Sequence, residues 1–122
     1  TLDAVRRSEI VTHHPDTGKR IAGIPIPHWK TVLLMAASAL EMTGLGYVGV
    51  DVILDRRRGP LLLEMNVRPG LAIQIANRSG LRPRLDLVEK APSGVLADAE
   101  TRVRCAMENF RQSFVPEGFD RV

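Results

Sequence analysis

Between Gly46 and Gly70 the chain reads GYVGVDVILDRRRGPLLLEMNVRPG, and most of its chemistry-bearing residues fall there. Asp51 interrupts one apolar run, Val48 to Leu54. Glu64, Asn66 and Arg68 stand on alternate positions at the end of a second run, Leu61 to Met65. The turn-rich Asp55-Arg56-Arg57-Arg58-Gly59-Pro60 between them makes the pair a predicted β-hairpin. A four-residue loop over Arg56–Gly59 sets Asp55 against Pro60, Leu54 against Leu61 and Asp51 against Glu64. Opposed residues share a face, so Asp51, Glu64, Asn66 and an extended Arg68 line one side. Val50, Val52, Leu63 and Met65 line the other.

Like charges directly opposite each other are unfavourable, so a cation is expected between the carboxylates. Two carboxylates and an amide oxygen are hard ligands suited to Mg²⁺, which takes one or two carboxylates together with waters and phosphates. A solvated outer face with Arg68 as counter-charge explains the same spacing. The residues that follow favour the metal. Pro69-Gly70 precedes a helix-compatible run, Leu71–Asn77, whose free N–H groups would favour an anion. The Arg68 guanidinium is a fork suited to phosphate or carboxylate. Together these describe a site for phosphoryl transfer or activation.

GVDVIL followed by LLLEMNVRPGLAIQIANRSGL resembles the C-terminal part of an ATP-grasp ligase, in the alpha-L-glutamate ligase-like branch related to ribosomal-protein glutamate ligases. THHPDTGKRIAGIPIPHW upstream is similar to the same branch. The resemblance implies an ATP-dependent carboxylate–amine ligase working through an acylphosphate. ATP and Mg²⁺ are the implied cofactors, with Mn²⁺ as a substitute, and Asp51, Glu64 and Asn66 are the implied metal ligands. Arg68, as catalytic residue, and Gly70 match positions that contact the transferred phosphate or acyl intermediate, with Glu64 and Asn66 also on the nucleotide. The partners implied are ATP, a carboxylate, an amine and an upstream nucleotide-clamping part of the same ligase. No glycine-rich phosphate loop precedes a helix here, since Gly44-Leu45-Gly46 runs into a strand, so the chain alone is expected to be inactive. The alternatives are a non-catalytic or degenerate binding module, and a metal-dependent hydrolase, which lacks an evident base.

The elements that must position these groups are legible as patterns. The expected class is α+β, an antiparallel sheet packed on helices, as in the C-terminal subdomain of an ATP-grasp fold. The 122 residues suffice for one small domain, with 44% hydrophobic, 25% charged and only 4% aromatic residues, so the core must be aliphatic. Trp29, Val32, Leu33, Ala36, Ala39 and Leu40 recur at helical steps, and Gly44 is a stop signal. That helix is expected to pack on the apolar face of the hairpin and to orient the strand carrying Asp51. Short strands are expected at Glu9–Thr12 and Arg20–Ile24 around a Pro-Asp-Gly turn, with Thr1–Ser8 ending a preceding element. His13 and His14 are adjacent, point to opposite faces of a strand and have no third ligand at metal spacing, so they read as turn residues. Leu81–Lys90 is amphipathic, Ala91–Gly94 is a linker, and a helix follows at about 95–114. Leu96, Ala99, Val103, Ala106, Met107, Phe110 and Phe114 form its stripe, and Arg102, Arg104, Glu108 and Arg111 lie off it. Asn77 and Arg78 suit a helix end or a ligand.

The net charge is +3. Its arginines are not interleaved with aromatics, which argues against nucleic acid, and the Arg56–Arg58 run reads as a solvated loop tip. No apolar run approaches a membrane span and no signal peptide precedes the domain, so no membrane partner is expected. Cys105 stands alone, which fits a reducing cytoplasm, and has no base in view.

Overall fold

The structure is a computed structural model that describes residues 4–7, 9–77 and 79–110. It has two small antiparallel sheets and several helices, the α+β class expected. The chain divides into two compact units, residues 1–27 with 68–90 and residues 28–67 with 91–122.

In the first unit, β1 (Ala4–Arg6) pairs with β2 (Glu9–Val11). Ala4–Arg6, in the stretch expected to end a preceding element, is therefore a strand of a local ribbon. After β2 the chain turns at Pro15–Thr17. Gly18 lies at φ 65°, the His14 N–H donates to the Lys19 carbonyl at 2.8 Å, and the Gly18 N–H to the His14 carbonyl at 2.8 Å. The strand expected over Arg20–Ile24 is reduced to a single bridge, Arg20 to His13. Gly23 at φ 78° takes the chain out of the extended region immediately afterwards. Beyond residue 67 this unit contains α3 (Ala72–Ala76) and α4 (Arg82–Lys90). Pro83 occupies the first turn of α4, where its missing N–H costs no hydrogen bond. Arg82 reaches forward to Asp86 at 2.7 Å, a one-turn ion pair on the exposed side.

The second unit begins with α1 (Trp29–Ala37), continued by α2 (Ala39–Thr43). The single helix expected here is broken at Ser38. Its hydroxyl donates to the Leu34 carbonyl at 2.9 Å, a back-bond that competes with the helical ladder and bends it. Gly44 ends α2 at φ 69°, with its N–H on the Leu40 carbonyl at 2.7 Å. Then β3 (Gly49–Asp55) and β4 (Gly59–Asn66) form the hairpin, and α1 packs against β4. A 3₁₀ turn over Ser93–Leu96 occupies part of the expected linker and leads to α5 (Ala99–Phe110), which packs on α1. The positions expected to extend that helix, Arg111 to Phe114, lie outside the described residues. The most buried apolar side chains are small: Ala39 is 1% exposed and Val103 6%.

The hairpin departs from the expected register at its tip. The loop is the three residues Arg56–Arg58, not four, and Asp55 pairs with Gly59, Leu54 with Pro60 and Ile53 with Leu61. Gly59 sits at φ 77°, the left-handed position that a three-residue loop needs. The Asp55 carboxylate accepts the N–H groups of Arg57 at 2.8 Å and Arg58 at 2.7 Å, which fixes the turn. The ladder then shifts between Asp51 and Val52, where Val52 pairs with Leu62 and Asp51 with Glu64. Leu63 is left unpaired as a bulge and is 64% exposed, so it is not part of the half-buried face with Val50, Val52 and Met65.

Candidate functional site

Two independent features place the carboxylates. The tight tip moves the register of β4 by one residue relative to a four-residue loop, and the bulge at Leu63 moves it back. As a result Asp51 stands opposite Glu64, and the next pair along the same face is Gly49 with Asn66. Asp51, Glu64 and Asn66 are all exposed, whereas Val50, Val52 and Met65, on the other face, are half-buried. Hydrophobic burial of one face thus presents the three oxygen-bearing groups to solvent on the other.

The electrostatics of this face are unbalanced. Among the described residues, no lysine, arginine or histidine forms an ion pair with Asp51 or Glu64. Two opposed anions without a neutralising side chain fit a small divalent cation. Among the described residues there is no group of three or more His, Cys, Asp and Glu side chains able to hold a metal. By its chemistry alone, a donor set of two carboxylates and one amide is of the hard-oxygen type that suits Mg²⁺ and not a closed Zn²⁺ site.

Arg68 and Gly70 fall in the first unit with α3, whereas Asp51, Glu64 and Asn66 fall in the second. At five residues α3 is little more than one turn, and Leu71 at its start supplies no side-chain cap. Asn77 is the C-cap of α3, its N–H on the Ile73 carbonyl at 3.0 Å. Arg78 lies outside the described residues. His13 and His14 belong to the turn after β2: the Thr12 hydroxyl lies 2.9 Å from His13 Nδ1, and the Asp16 N–H donates to His14 Nδ1 at 3.3 Å.

Among the described residues three acids carry shifted titrations, and each has a structural duty. The N–H groups of Arg58 and then Arg57 hold the Asp55 carboxyl below its ordinary value. Asp98 is lowered in the same way by the Thr101 N–H (2.8 Å) and hydroxyl (2.9 Å), the signature of an N-cap on α5. Glu41 is lowered mainly by its hydrogen bond from Arg102. Arg102 also donates to the Ala37 carbonyl at 3.0 Å, and only 14% of its side chain is exposed. Arg102, expected off the stripe of α5, is instead mostly covered, and its guanidinium ties α5 to the break between α1 and α2. The Asp98 cap had a sequence signal, an acid immediately before a helical run. The pairing of Glu41 with Arg102 spans distant segments and had none.

Comparison with known proteins gives one match. The family model described as sugar-transfer associated ATP-grasp covers residues 1–90. No curated protein and no solved structure matches the chain.

Proposed function

The chain belongs to the sugar-transfer associated ATP-grasp family, and from that premise we propose that it is the Mg²⁺-binding part of an ATP-dependent carboxylate–amine ligase. ATP-dependent ligase-type chemistry comes with the family. The direct opposition of Asp51 and Glu64, with Asn66 two residues further on the same face, carries the finer reading. Those three residues would hold Mg²⁺, which when bound neutralises and orients nucleotide phosphates. The γ-phosphoryl group passes to a carboxylate, ADP leaves, and an amine then displaces phosphate from the acylphosphate. The protein's part is positional and electrostatic. The carboxylates fix where the phosphates lie, and Asn66 orients the site without adding charge. Arg68 is assigned to the transferred phosphate, with Gly70 allowing close backbone approach.

The substrates follow from two different supports. The family's association with sugar transfer makes a saccharide-borne acid or acceptor the first class to test. A glutamate-type amino acid rests on the resemblance of residues 47–81 to glutamate ligases. The deciding experiment is ATP turnover by the full-length enzyme carrying Glu64→Ala. Loss of turnover with an unchanged far-UV circular dichroism spectrum is expected, and wild-type turnover would reject the metal-ligand assignment.

A further inference from the structure

The tip of the β3–β4 hairpin is not used by the chemistry above. Arg56, Arg57 and Arg58 are all exposed, and among the described residues none of them enters an ion pair. The one acid beside them, Asp55, spends its carboxylate on the N–H groups of Arg57 and Arg58. Those bonds and Gly59 at φ 77° hold the turn in one conformation, so three guanidinium forks are presented on an ordered base. Immediately behind them Ile53 is 45% exposed and Leu54 43% exposed, and as neighbours on a strand they point to opposite faces of the ribbon.

We infer that this tip docks an acidic polypeptide segment of a partner protein, carboxylates on the arginines and an aliphatic side chain over Leu54, on the face of the ribbon away from Asp51 and Glu64. Charge complementarity selects an anion, and the fork geometry of arginine suits carboxylates. Adjacent turn residues splay their side chains, so an extended partner with several charges fits better than one phosphate. A bilayer would need the apolar groups outermost, whereas here the charges lead and the aliphatics follow. Nucleic acid would favour stacking aromatics, and the tip has none.

The probe is a fluorescein-labelled synthetic peptide of alternating Glu and Leu, about 12 residues long, titrated with the full chain in fluorescence anisotropy. Binding should weaken by about tenfold or more in the triple variant Arg56→Ser, Arg57→Ser, Arg58→Ser, and should weaken as salt rises from about 50 to about 300 mM. The triple lysine variant should retain only part of the affinity, because it keeps the charge and loses the fork. Leu54→Ser should weaken this peptide but not oligo-glutamate of equal length, whereas Ile53→Ser, on the opposite face, should leave both unchanged. Peptide binding unchanged in the triple serine variant would overturn the proposal. So would tighter binding to duplex DNA or to phosphatidylserine vesicles than to the peptide. The loop substitutions are at exposed positions, and unchanged circular dichroism confirms that each variant is folded.

Discussion

Asp51 and Glu64 face each other across a ribbon, and the repulsion between their charges is measurable. Replacing Asp51 by Asn removes one of the charges at nearly constant volume. In the absence of divalent metal, Asp51→Asn should therefore stabilise the fold by about 0.2–1 kcal/mol, read by urea denaturation. With Mg²⁺ and ATP present, wild type should gain thermal stability and Asp51→Asn should gain much less, because a ligand that binds the native state raises its stability by mass action. A single variant more stable without the ligand and less responsive with it is hard to explain by folding alone. Gly59 makes a separate test. Its φ of 77° is unfavourable for any residue with a Cβ, yet nothing lies within 4 Å of where that Cβ would stand. Gly59→Ala should cost about 1–2 kcal/mol from backbone strain alone, without a steric clash.

At the scale of elements, the hairpin is held by Asp55, α5 by Asp98, and the α1–α2 break by Arg102 with Glu41. All three carboxyls titrate below their ordinary values in the folded chain. Their contribution is complete above the unfolded value, near pH 4, and is lost as pH falls through the still lower folded values. The midpoint of urea unfolding should consequently fall steeply below about pH 4, and Asp98→Asn, which keeps the cap without the charge, should flatten that fall. Asp98→Ala should lower Tm more than Asp98→Asn does, since it leaves N–H groups at the start of α5 uncapped. These elements were unequally legible. The opposition of Asp51 and Glu64 follows from a four-residue loop with regular pairing, whereas the observed loop is one residue shorter and the bulge at Leu63 restores the same opposition. Apolar pattern cannot distinguish Leu61, Leu62 and Leu63, so nothing in the sequence marks which of them drops out of the ladder. Ser38 is compatible with a helix interior, so the break there depends on its hydroxyl choosing the Leu34 carbonyl.

The whole molecule has a basic balance and two units, and no helix among the described residues is long and apolar enough to cross a membrane. The superfamily was readable because the residues that carry the resemblance, in β3, β4 and the run after them, are contiguous in sequence. The branch was not, because those residues are of the kind a whole superfamily can share. Since α1 packs on both β4 and α5, a change that loosens α5 should reach the hairpin. Val103→Ala, at a position only 6% exposed, should lower Tm and also weaken Mg²⁺–ATP binding in the full-length enzyme, measured by isothermal titration.

The unpaired Leu63 acts as a parity switch. On its turn side, even-numbered residues of β4 lie beside Val52 and Leu54; beyond it, even numbers lie beside Asp51 and Gly49. Excising Leu63 would straighten the ribbon and leave Glu64 where it is. Adding one residue between Pro60 and Leu62, with the bulge intact, would turn Glu64 inward and strand Asp51 alone. Length changes in this strand are thus tolerated or ruinous according to which side of a single leucine they fall.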